Sequence, residues 1–139
     1  MGIEHEEAVR SFLLAFEGEN LDSTQIERIV SRMAPDARYH LFAWEEPFVG
    51  HDAIRDELLR QAAMTSDGRF EFVSIASAGQ IVFVERIDST NINGKRADFH
   101  VVGVFEVDAH GKIASWRDYL DSREITVKVG AGGGGTGPA

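Results

Sequence analysis

The hydrophobic pattern of this chain changes its period once, near residue 69, and that change limits the folds open to it. Before residue 69, apolar residues recur every three or four positions, as on one face of an α-helix. After it, apolar and polar residues alternate in four segments, near 69–77, 80–90, 95–107 and 112–121. Helices followed by a run of strands predict an α+β fold.

Three amphipathic helices are predicted before the change of period. The first covers residues 5–18, and the second begins at Thr24-Gln25-Ile26-Glu27, which resembles a capping box, and continues until Pro35. A strand-like piece at 37–43 follows. Asp52 can then cap a third helix, whose apolar residues are Ile54, Leu58, Leu59 and Met64.

Turn residues separate the four alternating segments. Ala78-Gly79, the run from Asn91 to Gly94, and the run from Asp108 to Gly111 are typical of tight connections between antiparallel strands. The segments therefore predict an antiparallel meander that bends around the helices on one face. With 139 residues and 43% apolar content, the chain fits one domain over 1–129, followed by a flexible glycine-rich tail over 130–139.

Charge and cysteine content exclude several classes of function. The net charge of −9, from 14 basic and 23 acidic residues, argues against a nucleic-acid partner, because phosphate binding requires a basic surface. Zero cysteines exclude disulfides, thiolate catalysis and cysteine-ligated metals. The acidic start and the lack of a long apolar run predict a cytoplasmic protein without a membrane partner.

Three charged residues stand on strand faces that are otherwise apolar. Arg86 and Asp88 are two apart and share the face of Val82 and Val84, while Asp118 shares its face with Trp116 and Leu120. Ionised groups beside an apolar wall need partners, and an arginine between two carboxylates supplies them. This pattern predicts a buried acid–base cluster, although an ion-pair network with a purely structural role would show the same spacing.

The chain resembles the limonene-1,2-epoxide hydrolases over about residues 7–125. The matching motifs, in order, are Val84-Glu85-Arg86-Ile87-Asp88, Gly103-Val104-Phe105, Gly111-Lys112-Ile113 and Trp116-Arg117-Asp118-Tyr119-Leu120-Asp121. Gly-Lys-Ile is common in the wider superfamily of nuclear-transport-factor-like and SnoaL-like proteins, whereas Glu-Arg-x-Asp followed by Trp-Arg-Asp-Tyr is more specific. The resemblance implies a strongly curved mixed, mostly antiparallel sheet that forms a cone with an internal pocket.

The resemblance also implies a reaction, which is the cofactor-independent hydrolysis of an epoxide to a diol. Asp118 would activate water as general base, Asp88 would protonate the epoxide oxygen, and Arg86 would bridge them. Tyr39 matches a tyrosine that helps to hold the water, although a buried tyrosine with a satisfied hydroxyl is an equal alternative. The family's usual asparagine is absent, because Leu41 stands at its position. His40 could replace it only if the strand bulges.

The expected pocket is apolar and takes a small hydrophobic epoxide. Its predicted lining is Val82, Val84, His100, Val102, Trp116, Leu120 and Leu41, with Phe42 or Trp44 closing the mouth. His100 could instead be a satisfied histidine without a catalytic duty. The scattered histidines predict no metal site, and the absence of nucleotide and nucleophile-elbow motifs predicts no cofactor and no serine hydrolase.

Two rival functions remain open on sequence grounds. The same cone could carry an epoxide-opening cyclase or a ketosteroid-isomerase-like isomerase, which Leu41 favours somewhat, or it could be a non-catalytic binding module. A homodimer is expected, because Phe99, Val101 and Phe105 suggest an apolar sheet face opposite the helices that a second copy would cover.

Overall fold

The computed structural model describes residues 2–130, and within that range the chain forms four α-helices, six strands and one π-helical turn. The helices are α1 (Gly2–Leu14), α2 (Ser23–Ser31), α3 (His51–Ala62) and α4 (Ser122–Ile125), and the π-helical turn is Thr126–Gly130. The strands are β1 (Met33–His40), β2 (Phe48–Val49), β3 (Thr65–Ala78), β4 (Ile81–Ile92), β5 (Lys95–Val107) and β6 (Ile113–Tyr119).

The strands form one curled sheet in the order β2-β1-β6-β5-β4-β3. Strand β1 runs parallel to β6, and every other neighbouring pair among these six strands is antiparallel. The sheet is therefore mixed and mostly antiparallel, and the predicted α+β class is confirmed. One apolar cluster joins α1, α2 and α3 to the inner face of the sheet, with Phe12, Ile29, Leu58, Val84 and Phe105 among its members.

A two-residue turn fixes the register of the central hairpin. Asn93 and Gly94 both have positive φ, which is the backbone that a tight hairpin turn requires, and Ile92 pairs with Lys95 across it. Counting back from the turn, Asp88 pairs with Phe99 and Arg86 with Val101. Directly opposed residues share a sheet face, so the odd-numbered residues of β5 point inward with Arg86 and Asp88.

Several helix boundaries differ from the prediction. The first helix is Gly2–Leu14 rather than 5–18, and α2 is capped by Asp22 with Gln25, two residues before the predicted box. The predicted and the observed cap each have a short polar side chain followed by a longer one three residues later. In the structure it is Asp22 that accepts a hydrogen bond from the Gln25 backbone N–H, and the Gln25 side chain accepts one from the Asp22 backbone N–H. Likewise α3 follows Gly50, and Asp52 lies in its first turn rather than at the cap.

The second helix also ends earlier than Pro35, because β1 begins at Met33. Strand β1 pairs with β6 at Met33 and again from Arg38 onward, with a register shift between them. Pro35 falls within that irregular stretch, where the missing N–H of proline breaks no regular ladder bond.

The short elements β2, α4 and the π-helical turn were not predicted from the sequence. Of the predicted flexible tail, residues 131–139 lie outside the part of the chain that the structure describes. Along residues 2–130, no helix is long and apolar enough to cross a lipid bilayer.

Candidate active site

Strands β4 and β6 place three charged side chains on the inner face of the sheet. Arg86 and Asp88 come from β4, and Asp118 comes from β6 on the far side of β5. Arg86 Nε donates to Asp88 Oδ1 at 2.8 Å, and Nη2 donates to Asp88 Oδ2 at 3.1 Å and to Asp118 Oδ2 at 2.8 Å. The structure thus brings the three predicted residues together around one guanidinium group.

Gly103 makes room for this bridge. It pairs with Asp118 on β6, and a Cβ atom built on it would lie 2.5 Å from Arg86 Nη1 and 3.0 Å from Asp118 Oδ1. The first distance is shorter than real Cβ contacts and the second is unusually tight, so the Arg86 guanidinium would have to move if position 103 carried a side chain. Nη1 is buried against Gly103 and has no hydrogen-bond partner among residues 2–130.

The two carboxyl groups have different surroundings. The Asp88 side chain is 24% exposed and the Asp118 side chain 11%. Burial raises the pKa of Asp88 to about 6, even though its bonds to Arg86 favour the ionised form. Burial alone would lower the pKa of the Arg86 guanidinium. The charges and hydrogen bonds of Asp118 and Asp88 have the larger combined effect and raise that pKa above its ordinary value. Arg86 is therefore a permanent cation, and Asp88 is a carboxyl group that holds its proton unusually well.

Asp118 is held by an indole as well as by the guanidinium. Trp116 Nε1 donates to Asp118 Oδ1 at 2.7 Å. The Trp116 ring stacks on Tyr39, with ring centroids 4.4 Å apart. Burial, followed by the charge of Asp118, raises the pKa of Tyr39, so this phenol keeps its proton. The structure therefore places Tyr39 beside Asp118.

A cleft of about 170 Å³ opens beside Asp88. Its wall is formed by the α1 to α2 connection, the end of α3, and β3 and β4, and its lining includes Phe16, Leu21, Leu58, Gln61 and Phe70. The Arg86 guanidinium lies over the Phe70 ring at 5.7 Å, which ties the cluster to this wall. A small apolar molecule in the cleft would meet the Asp88 carboxyl group directly.

His100 and Val102 point away from the interior of the protein, so their predicted assignment to the pocket is wrong. His100 and Val102 lie on the outer face of β5, where His100 is 70% exposed and contacts Glu124. The physical reason is the hairpin register, which turns the odd-numbered residues of β5 inward. For the same reason Phe99, Val101 and Phe105 all point to the inner face, and they do not form the outer apolar face expected for a dimer.

The other predicted lining residues are not in contact with the cleft. Val82, Val84 and Trp116 are buried in the core, because the three helices cover them. Leu41 packs at the margin of that core, and Leu120 is half-buried just after β6 ends. Phe42 and Trp44 stack on each other in the loop after β1 rather than along the cleft wall.

Two residues that line the cleft, Gln61 and Phe70, were not among the predicted lining residues, although the sequence contains a signal for each. Gln61 follows Ile54 and Leu58 at helical spacing, so a polar residue occupies a position on the apolar stripe of α3. Phe70 pairs with Asp88 across the hairpin of β3 and β4, but the irregularity between Phe72 and Ser74 hides that register. Across the described range 2–130, no three potential ligand side chains cluster as a metal site would require.

The site and the fold together define a class: a small α+β protein with an arginine-bridged pair of carboxyl groups beside an apolar cleft. Comparison with known proteins identifies the family. The family model of the limonene-1,2-epoxide hydrolase catalytic domain matches residues 3–129. This chain belongs to the limonene-1,2-epoxide hydrolase family.

Individual relatives agree with that membership. Epoxide hydrolase EphG of Mycobacterium tuberculosis (strain ATCC 25618 / H37Rv) is 33% identical over 119 residues, covering 82% of this chain and 71% of the relative. The structure of an M. tuberculosis LEH-like epoxide hydrolase superposes with a TM-score of 0.76 at 26% identity, covering 92% of this chain and 90% of the other.

A more distant structure shares the fold. A protein from Xanthomonas campestris pv. campestris, provisionally assigned as a polyketide cyclase, superposes with a TM-score of 0.77. It is 16% identical and covers 91% of this chain and 97% of its own. At this identity the likeness concerns the fold alone.

Proposed function

We propose that this protein hydrolyses a small hydrophobic epoxide to a vicinal diol, without a cofactor and in one step. One observation carries the proposal: Arg86 bridges two carboxyl groups, and Asp88, the one that lines the cleft, has a raised pKa of about 6. Opening an unactivated epoxide near neutral pH benefits from one ionised and one protonated carboxyl group acting together.

The proposed step uses Asp118 as base and Asp88 as acid. Asp118 takes a proton from water as the water oxygen forms a bond to an epoxide carbon. The carbon–oxygen bond of the epoxide breaks, and its electron pair accepts the proton of Asp88. The product is a diol, and a proton must return from Asp118 to Asp88 before the next turnover.

Arg86 keeps the charge of the cluster constant during this step. Before reaction, the guanidinium is balanced by ionised Asp118 and Asp88 is neutral. Afterwards it is balanced by ionised Asp88, and Asp118 is neutral. Since Arg86 bonds both carboxyl groups, the buried site never holds an uncompensated charge, which would be costly away from water.

A second candidate is an isomerase or an epoxide-opening cyclase, in which Asp118 acts as base on the substrate and no water attacks. The observation in its favour is Leu41, an apolar residue packed at the core margin where the family usually has an asparagine. The two candidates differ in their products, because only hydrolysis adds the elements of water.

The test is a panel of lipophilic epoxides incubated with the protein in the presence of a chelator. We expect diol formation, and one turnover in oxygen-18 water should place the label in the diol. Rearranged or cyclised products without label would support the second candidate. Label retained in a protein carboxylate would indicate a covalent ester and contradict direct attack by water.

The proposal extends to assembly and location. Phe83, Val102 and Tyr119 lie exposed together on the outer face of β4, β5 and β6, and this patch supports a homodimer formed through that face. Light scattering should give twice the chain mass for the wild type and the chain mass for Phe83→Asp.

We also propose a cytoplasmic location, in keeping with a chain without cysteine.

A further inference from the structure

A buried carboxylate and an amide outside the cluster around Arg86 form a second polar network that reaches the site. Gln61 Nε2 donates to the Tyr39 hydroxyl at 3.2 Å and to Glu57 Oε2 at 2.8 Å. We propose that Gln61 is a catalytic residue that holds the nucleophilic water through its carbonyl oxygen, and that Glu57 is a positioning residue that fixes the orientation of the Gln61 amide. This inference deepens the proposed function and rests on it.

The bonds of Gln61 determine which of its atoms remains available. An amide nitrogen has two N–H groups, and both are used, one on Tyr39 and one on Glu57. The carbonyl oxygen Oε1 has no hydrogen-bond partner among the described residues, and Gln61 forms part of the cleft wall together with Asp88. The side chain therefore presents an acceptor to the cleft.

Glu57 prevents the amide from turning over. It is a buried carboxylate, accepting two bonds from Arg60 in addition to the one from Gln61. Burial alone would raise the pKa of Glu57, but these bonds outweigh it and lower the pKa. Since an ionised carboxylate only accepts hydrogen bonds, a flipped amide would place Oε1 against it and be repelled.

Tyr39 supplies the complementary donor. Its hydroxyl oxygen accepts the bond from Gln61, so its own proton points elsewhere, and no side chain or backbone group within residues 2–130 accepts it. The ring stacks on Trp116, whose indole holds Asp118. The Gln61 amide is thus connected to the proposed base through Tyr39 and Trp116.

These groups match the needs of an attacking water molecule. Water has two protons and two lone pairs. Asp118 can accept one proton and Gln61 Oε1 the other, while the Tyr39 hydroxyl donates to one lone pair. The second lone pair is then the one directed at the epoxide carbon, so the water is both activated and oriented.

The experiment combines crystallography with steady-state kinetics on the full-length protein. Gln61→Met is nearly isosteric and removes both polar atoms, and Glu57→Gln keeps the size of the carboxylate but lets the amide turn over. Arg55→Gln is the matched control, because Arg55 lies on the same helix as Gln61, and the change removes only a surface ion pair with Glu27 of α2 and one with Asp52. In the wild type we expect an ordered water within hydrogen-bond distance of Asp118, Tyr39 and Gln61 Oε1.

In folded Gln61→Met that water should be lost, and kcat should fall about 10- to 100-fold with KM nearly unchanged, the effect of one lost transition-state hydrogen bond. Glu57→Gln should lower kcat in the same way but less, and Arg55→Gln should leave kcat unchanged. A wild-type crystal without the water, or wild-type kcat in folded Gln61→Met, overturns the inference. A water held as described in a protein that turns over no epoxide would refute the proposed reaction and leave the water site standing.

Discussion

Strands β4 and β6 do not touch, because β5 lies between them and neighbouring strands are about 4.8 Å apart. Arg86 must therefore extend over β5 to reach Asp118. It can do so because Gly103 has no side chain, and Nη1 lies only 2.5 Å from the position that a Cβ would take. At the residue scale, the arginine bridge depends on this glycine as much as on the charges.

Gly103→Ala tests this dependence. The added methyl group would overlap Arg86 Nη1, so the guanidinium should shift and its bond to Asp118 should weaken. We expect kcat for epoxide hydrolysis to fall at least about tenfold and the protein to lose about 1 to 3 kcal/mol of stability, as overpacked cores do. Val104→Ala, on the opposite face of the same strand, should lower the melting temperature without lowering kcat. An alanine variant with both wild-type kcat and wild-type stability would refute the argument.

The raised pKa of Asp88 predicts a pH profile. Asp88 must be protonated to act as acid, so kcat/KM should fall by about tenfold per unit as pH rises above about 6. In the folded protein the pKa of Asp88 lies above its ordinary value of 3.8. The protonated carboxyl group therefore stabilises the fold fully below pH 3.8, and this stabilisation is lost as pH rises through about 6. Rates and melting temperatures across pH check both statements, and the limb in kcat/KM should be absent from the residual activity of Asp88→Asn.

At the element scale, β6 is shorter than its neighbour β5, and the C-terminal segment covers the difference. The pairing of β5 with β6 ends at Val102 with Tyr119, which leaves the β5 edge beyond it unpaired. Glu124 of α4 accepts the His100 backbone N–H at 2.8 Å, and Lys128 of the π-helical turn donates to the Asp98 carbonyl. The segment thus satisfies backbone groups that an exposed sheet edge would leave open.

Removing the carboxylate of Glu124 should release this segment. Burial alone would raise the pKa of Glu124, but bonds from the His100 side chain and backbone and from Lys128 lower it to about 2. The contribution of Glu124 to stability is therefore present above its ordinary value of 4.5 and lost as pH falls toward about 2. In Glu124→Gln, amide exchange at His100 and along α4 should accelerate about tenfold, the effect of about 1.4 kcal/mol. Unchanged exchange rates would mean that the segment is held by other contacts.

The hydrophobic period of the three long helices and of β3 to β6 was predictable from the sequence, but the prediction of which residues of β5 point inward was wrong. Both faces of β5 carry apolar residues, so composition does not distinguish the face of Val101 from that of Val102. The Asn93-Gly94 turn does distinguish them, because a two-residue turn sets the pairing of Asp88 with Phe99. The contact of Gln61 with Tyr39 was not predictable, since the packing of α3 against the sheet determines it.

At the scale of the whole molecule, the fold brings residues from distant parts of the chain to one wall. The curled sheet presents Arg86, Asp88 and Asp118, while α3 closes against β1 and brings Gln61 to Tyr39. Antiparallel pairing alone would not do this, because Tyr39 meets Trp116 through the parallel pairing of β1 with β6. The site is therefore a product of the mixed sheet together with its helical cover.

The most direct test of the account is the turnover of Asp118→Asn, a nearly isosteric change that removes the proposed base. Glu85→Gln is the matched control, because it makes the same chemical change on the outer face of β4. Circular dichroism and melting temperature must show that both variants are folded. We expect kcat for diol formation to fall about 10²- to 10⁴-fold in Asp118→Asn and to stay unchanged in Glu85→Gln. Near-wild-type diol formation by folded Asp118→Asn would contradict the account, because it would remove Asp118 from the reaction.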